Sequence, residues 1–260
     1  MPKITSNQNP KIKLARSLLS RKHRDKTGLF LVEGLHHVGE ALAAGAEIEY
    51  ILYCETEDQS SYNLELLAQI TNKSIPYYSV TKKIYISISA KENVQSFIAV
   101  VKQINTNLED LENVITGVGL INPQNPGNIG AILRTIDAVN ADVLFLIDGG
   151  ADPYHPNCVR ASMGTLFWNP IIRINFDEFI EYIQQNKINL YGTTAKEGQD
   201  FQNFKYNQPS VLLMGSEQKG LSEHHKAFCD VLLTIKMRGR VSSLNLSIAT
   251  SILLYSIKND

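Results

Sequence analysis

Apolar runs of four to eight residues recur along the whole chain, separated by amphipathic stretches and by turn residues. In the first hundred residues, Leu29–Val32, Ile48–Cys54, Tyr77–Val80 and Phe97–Val101 are rich in β-branched and aromatic side chains, which predicts strands. His36–Ala44, closed by Gly45, and Leu64–Ile70 predict helices between them. Ahead of these lies one more predicted helix, capped by Asn9, with Pro10 at its first position and an apolar stripe of Ile12, Ala15, Leu18 and Leu19. The alternation then stops in a polar stretch and starts afresh. Val114–Ile121, Val143–Ile147, Ile171–Ile174, Ile188–Thr193, Val211–Met214 and Val231–Ile235 predict strands with helical segments between them. One helix is expected to open with Asn128 as its cap. The last is expected to be capped by Ser242 or Ser243 and to bury Leu244, Ile248 and Ile252, with Ala249 and Leu253 beside them. Short apolar strands alternating with helices predict a parallel sheet covered on both faces. The fold class is therefore α/β, with a small domain over 1–103, a linker over 104–113 and a larger domain over 114–260.

Composition narrows the class. A chain of 260 residues with 43% apolar and 20% charged residues is that of a folded protein of one or two domains. No apolar run approaches the roughly 20 residues that span a bilayer, and no apolar signal core is expected at the N-terminus. Cys54, Cys158 and Cys229 are odd in number and far apart, which fits a reduced, cytoplasmic compartment. No His or Cys spacing suits a metal, so none is expected.

Charge changes the picture once it is divided along the chain. The net charge is −1, yet Lys3, Lys11, Lys13, Arg16, Arg21, Lys22, Arg24 and Lys26 face Asp25 alone within the first 26 residues. A basic arm on an acidic body is the footprint expected for a phosphate backbone, although a solvated helix face would read the same way. Lys11, Lys13, Arg16, Lys22 and Arg24 are the candidates to face RNA.

Three segments put glycines and small polar groups where an apolar strand meets a helix. They are Pro126-Gly127-Asn128-Ile129-Gly130-Ala131-Ile132-Leu133-Arg134, Leu213-Met214-Gly215-Ser216-Glu217-Gln218-Lys219-Gly220-Leu221, and Arg238-Gly239-Arg240-Val241-Ser242-Ser243-Leu244-Asn245-Leu246. A helix start offers unpaired N–H groups to an anion, and Arg134 adds a permanently charged fork that matches a phosphate. Taken singly, each is equally an ordinary capped turn. Gly117-Val118-Gly119 begins like a dinucleotide-binding fingerprint but lies inside a strand rather than at its exit.

In this order and spacing, the three segments resemble the motifs of the SpoU/TrmH family of RNA ribose methyltransferases, within the knotted SPOUT superfamily. The resemblance runs from about Val114 to Ile257, and Arg160-Ala161-Ser162-Met163-Gly164 matches a further family segment. The basic N-terminus through Val32-Glu33-Gly34 resembles the substrate-binding domain often fused to these enzymes. The resemblance implies a deep trefoil knot, a homodimer with its active sites at the interface, and S-adenosylmethionine as cofactor. Its loops would be Thr193-Thr194, Met214-Gly215, Ile235–Met237 and Ser243-Leu244, with the adenine bordered by Gly215, Ile235 and Leu244. The implied reaction is methyl transfer to a ribose 2′-hydroxyl. Arg134 would bind the adjacent phosphate and stabilise the developing alkoxide, Asn128, Ser243 and Asn245 would position the reactants, and Glu217 would support the site. Two positions depart from the pattern: Lys236 stands where the family has proline, and Ser242 where an acidic residue is common. Large-subunit rRNA is the expected target, with tRNA or a resistance-conferring rRNA site as alternatives. A non-catalytic RNA-binding or ribosome-assembly factor is the reading from another class.

Overall fold

A computed structural model of the chain describes residues 2–55, 60–89, 94–111, 113–195 and 198–258. These form two compact units, one of residues 1–104 with 152–168 and the other of residues 105–151 with 169–260. The continuous segment 114–260 read from the sequence is thus interrupted, because 152–168 packs with the first unit.

The first unit begins with β1 (Lys3–Ile4), α1 (Pro10–Ser17), α2 (Arg21–Thr27), β2 (Leu29–Glu33) and α3 (Leu35–Ala43). It continues with β3 (Ile48–Tyr53), α4 (Ser61–Asn72), β4 (Tyr77–Val80), α5 (Lys82–Ile86) and β5 (Phe97–Lys102). The strands make one mixed sheet in the order β1-β4-β3-β5-β2, antiparallel only where β5 meets its two neighbours. Asn9 caps α1 by accepting from the Lys11 N–H, and Pro10 opens the helix, so the expected start is found. The basic arm is two helices, however, and not one. Leu18, Leu19 and Ser20 N–H groups bond carbonyls three residues back, tightening the end of α1, and Ser20 is extended before α2 begins. Ile12, Ala15 and Leu18 are fully buried under the sheet, whereas Leu19 is exposed.

The second unit runs β6 (Thr116–Ile121), α6 (Pro126–Ala138) and β7 (Val143–Ile147), after which α7 (Pro156–Ser162) belongs to the first unit. It resumes with β8 (Ile171–Ile174), α8 (Phe176–Gln185), β9 (Asn189–Thr193), β10 (Gln199–Asp200) and β11 (Ser210–Met214). α9 (Glu223–Ala227), β12 (Val231–Thr234) and α10 (Leu246–Lys258) complete it. All seven strands are parallel, in the order β10-β12-β9-β11-β6-β7-β8. The expected mixed α/β fold with a parallel sheet is therefore present. Gly117 and Gly119 lie within β6, where an added Cβ would approach Val143 and Val211, or Ile147 and Leu213, to 3.1 Å. These glycines serve sheet packing and not a nucleotide. Leu108 and Leu111, in the stretch expected to be a linker, pack against this unit's core; Glu112 lies outside the described residues.

Two helix starts differ from expectation. α6 is capped by Asn125, whose side chain accepts from Gly127 N–H, and this leaves Asn128 inside the first turn and buried. α10 begins at Leu246, with Asn245 accepting from the Ser247 N–H, so neither Ser242 nor Ser243 is the cap. Its buried residues are Leu246, Thr250, Leu253, Leu254 and Ile257, while Ile248 is 52% exposed. Apolar residues occur on nearly every side of this helix, so periodicity alone could not select its inner face.

Candidate active site

Parallel strands end on a common edge, and the loops leaving that edge carry the three sequence segments. Leu120 is in register with Met214, Leu213 with Gly192 and Leu233 with Thr193, so β6, β11, β9 and β12 terminate together. Glu217 follows β11 and reaches across to the loop after β6. Its Oε2 accepts from Gln124 N–H at 2.9 Å, and its Oε1 accepts from Asn125 N–H at 3.1 Å and from Asn128 Nδ2 at 2.9 Å. Asn128 Oδ1 in turn accepts from Asn245 Nδ2 at 3.1 Å. One continuous chain of hydrogen bonds thus joins all three segments, through residues that the sequence reading had singled out.

The polarity of this chain is set by its ends. A carboxylate only accepts, so Asn128 turns its NH2 toward Glu217 and its carbonyl toward Asn245. At the other end, the Ser247 N–H donates to Asn245 Oδ1 at 2.9 Å, which turns the Asn245 NH2 toward Asn128. The two amides therefore meet donor to acceptor. Partial burial pushes the Glu217 carboxyl up, but the donors from Gln124, Asn128 and Asn125 outweigh it and hold the group below the ordinary glutamate range. A charged, satisfied Glu217 keeps the helix start of α6 and the loop before it in one shape.

Gly215 permits the turn that delivers Glu217. A Cβ there would come within 2.0 Å of the Gly220 carbonyl carbon and 2.2 Å of Leu221 N, so the loop folds back on its own backbone. Thr193 donates its hydroxyl to the Leu213 carbonyl at 3.3 Å, tying β9 to β11. Met214 is buried at the strand end, and Ile235, Met237 and Leu244 are half-buried. Apart from Lys236, the cofactor-loop side chains are uncharged and partly apolar, which at a sheet's carboxyl edge suits a neutral purine, so the residues present fit the expected cofactor. Lys236 pairs with Asp200 of β10 at 3.0 Å, which gives the departure at that position a partner. Thr194 N–H bonds the Leu233 carbonyl.

Arg134 and Ser243 stand apart from the hydrogen-bonded chain: both are exposed, and neither side chain has a hydrogen bond among the described residues. The candidates of the basic arm divide further. Arg24 is corrected outright. It is 1% exposed and donates to Asp152 Oδ2 at 2.7 Å and to the Leu18 carbonyl at 2.7 Å, so it is a buried structural ion pair. Arg16 is half-buried and held by Ser87 and Asn7, at 2.8 and 3.0 Å. Lys11 directs its ammonium over the rings of Tyr50 and Tyr78, at 4.8 and 4.9 Å. Of the five, Lys13 and Lys22 are exposed. The helix period showed which positions of α1 face inward, but nothing local marked Asp152 as the partner of Arg24. Gln124 and Asn125, whose N–H groups meet Glu217, were not singled out, because backbone donors carry no side-chain signal.

Residues 116–255 match the SpoU rRNA Methylase family, and residues 9–99 match the MRM3-like substrate binding domain. The chain is a member of the SpoU rRNA methylase family. Among the relatives of this SpoU protein is the 23S rRNA (guanosine(2553)-2'-O)-methyltransferase RlmP of Bacillus subtilis, 29% identical, with 99% of this chain and 100% of the relative covered. The 23S rRNA (uridine(2479)-2'-O)-methyltransferase of Streptomyces viridochromogenes is 30% identical, over 97% of this chain and 90% of its own. An AdoMet-bound rRNA methyltransferase from Sinorhizobium meliloti superposes with a TM-score of 0.89 at 33% identity, covering 99% of this chain and 97% of that one. Among the described residues of the SpoU protein, no helix is long and apolar enough to cross a membrane and no cluster of His, Cys, Asp and Glu could hold a metal ion.

Proposed function

We propose that this protein is an S-adenosylmethionine-dependent RNA 2′-O-ribose methyltransferase acting on large-subunit rRNA. The observation that carries the reading is the hydrogen-bonded chain Glu217–Asn128–Asn245, which gathers the three family segments at one edge of the parallel sheet. When bound, S-adenosylmethionine would supply a methyl group activated on a sulfonium, for transfer to the ribose 2′-oxygen with S-adenosylhomocysteine as the leaving group.

The protein's own residues do the rest by positioning and charge. Arg134, exposed on α6, binds the phosphate next to the target ribose and stabilises negative charge on the 2′-oxygen as its proton is lost to water. Its guanidinium stays protonated, so it is a donor and not a base. Ser243 and Asn245 orient the ribose, Asn128 holds Asn245, and Glu217 holds Asn128. The loops at Thr193-Thr194, Met214-Gly215, Ile235–Met237 and Leu244 receive the cofactor.

Three finer features belong to the same reading. The segments after β11 and β12 form the deep trefoil knot that the resemblance implies. A second copy of the chain completes the site and brings Arg134 and Ser243 into use. Ile248, Ile252 and Tyr255 support this, because they recur at i, i+4 and i+7 on α10 with Ile248 52% and Tyr255 48% exposed, an apolar stripe suited to burial against another copy. The first unit binds the RNA, with Lys13 and Lys22 as phosphate contacts. The compartment that goes with such a substrate is the cytoplasm.

The test is to map 2′-O-methyl groups on total RNA from cells with and without the gene, and to assay Arg134→Ala with labelled cofactor. One large-subunit nucleotide should lose its methyl group in the deletion strain, and Arg134→Ala should abolish transfer with cofactor affinity nearly unchanged. An unchanged methylation map, or full turnover by Arg134→Ala, would falsify the reading or the arginine's role respectively.

A further inference from the structure

We infer that Ser247 is a positioning residue for the proposed methyl transfer, acting through the amide of Asn245. The inference rests on the methyltransferase reading and deepens it by adding a residue to the site. Asn245 Oδ1 receives two donors from the same residue, the Ser247 N–H at 2.9 Å and the Ser247 hydroxyl at 2.7 Å. The N–H alone would satisfy an ordinary helix cap. The hydroxyl is an addition. Thr250 and Ser251 donate their hydroxyls to carbonyls four residues back, those of Leu246 and Ser247, as such side chains in helices commonly do. Ser247 stands in the first turn, where the residue four back lies outside the helix, and its hydroxyl donates to the Asn245 side-chain amide.

The consequence is a fixed orientation. A flipped Asn245 would set its NH2 against the Ser247 N–H, and the hydroxyl adds a second bond that holds the amide oxygen in place, so the nitrogen stays toward Asn128 Oδ1 at 3.1 Å. That nitrogen carries two N–H groups. One is taken by Asn128, and the other has no partner among the described residues, on a side chain that is exposed. Ser247 therefore determines where an outward-pointing donor stands at the edge where the three segments meet. A hydroxyl, phosphate or carbonyl oxygen of the reactants is the acceptor it suits.

The experiment compares Ser247→Ala and Ser247→Thr with the wild-type protein. Methyl transfer is measured with labelled S-adenosylmethionine and ribosomal RNA from a strain lacking the gene, and cofactor Kd by calorimetry. The side-chain NH2 proton pair of Asn245 is followed by NMR, assigned by its loss in Asn245→Ala. Ser247→Ala should lower kcat by about tenfold, the scale of one lost hydrogen bond, with cofactor Kd and melting temperature unchanged. The Asn245 NH2 pair should shift in Ser247→Ala, and Ser247→Thr, which keeps the hydroxyl, should restore both rate and resonance. Wild-type kcat in Ser247→Ala, a Ser247→Thr variant as slow as Ser247→Ala, or an unmoved NH2 pair would each overturn the assignment. If the wild-type protein transfers no methyl group to any RNA, the proposed function fails. The NMR comparison then still decides whether Ser247 orients Asn245: a shift supports that orientation and an unmoved pair overturns it.

Discussion

The Asn128 amide donates to the Glu217 carboxylate across 2.9 Å, although 89 residues separate them in the chain. The bond joins the first turn of α6 to the loop after β11, and Asn128 passes the constraint on to Asn245. Because Asn128 is only 6% exposed, its amide cannot readily trade these partners for water.

Asn128→Asp should therefore be costly. Its carboxylate would face that of Glu217 and also lose a donor, so we expect a loss of about 1–3 kcal/mol at neutral pH. The loss should shrink in acid, where either carboxyl can take up a proton and restore a donor. Urea denaturation at pH 5 and pH 8 checks this; an equal loss at both values would contradict the arrangement.

Glu217→Gln probes the same pair from the other side. The Glu217 pKa is lowered by folding, so its charged form contributes stability above the unfolded-state pKa, and that contribution is lost as pH falls through the folded-state value. Thermal melts of wild type and Glu217→Gln should differ most at neutral pH and converge in acid. Curves separated by a constant amount would show that the charge is not what Glu217 contributes.

Arg24 and Asp152 make a prediction about folding rather than RNA. Both are nearly inaccessible, 1% and 4% exposed, and their atoms meet at 2.7 Å. Replacing Arg24 with Met strands a buried carboxylate, so a loss of about 3–5 kcal/mol is expected, with much of it recovered in Arg24→Met/Asp152→Leu. Denaturant midpoints of the two variants measure it.

For RNA, the exposed lysines carry the expectation. Lys13→Glu and Lys22→Glu should each weaken binding at low salt and flatten the slope of log affinity against log salt by about one per lost phosphate contact. Filter binding across a salt series is sufficient. Unchanged slopes would make the arm ordinary surface.

The exposed stripe of α10 predicts an oligomer. Ile248→Asp with Tyr255→Asp should give a light-scattering mass at the single-chain value of 29.0 kDa, with loss of methyl transfer. A wild-type protein already at that mass would remove the homodimer from the proposal.

Much of this was legible along the chain. β7 and β8 begin and end where their apolar runs do, and Asn9-Pro10 announced α1, because a strand's inner residues and a helix's cap are local requirements. The parallel sheet followed from runs too apolar to have a wet face. Legibility failed where several local solutions were equivalent. Asn125 and Asn128 are both competent caps three residues apart, and only the position of Glu217 makes the second a buried relay. On α10, apolar residues on nearly every side left the inner face to be chosen by α6 and β11. Arg24 looked like its exposed neighbours Arg21 and Lys22, since nothing nearby in sequence shows that Asp152 lies against it.

By itself the sequence determined the order of strands and helices, the basic start of the chain and the three glycine-bearing segments, since each depends on periodicity and on backbone freedom within a few residues. Tertiary structure alone decided that 152–168 joins the first unit and that Asn128 meets Asn245, 117 residues away. Such pairings follow from which parallel strands lie side by side, and that order is a property of the whole packed sheet.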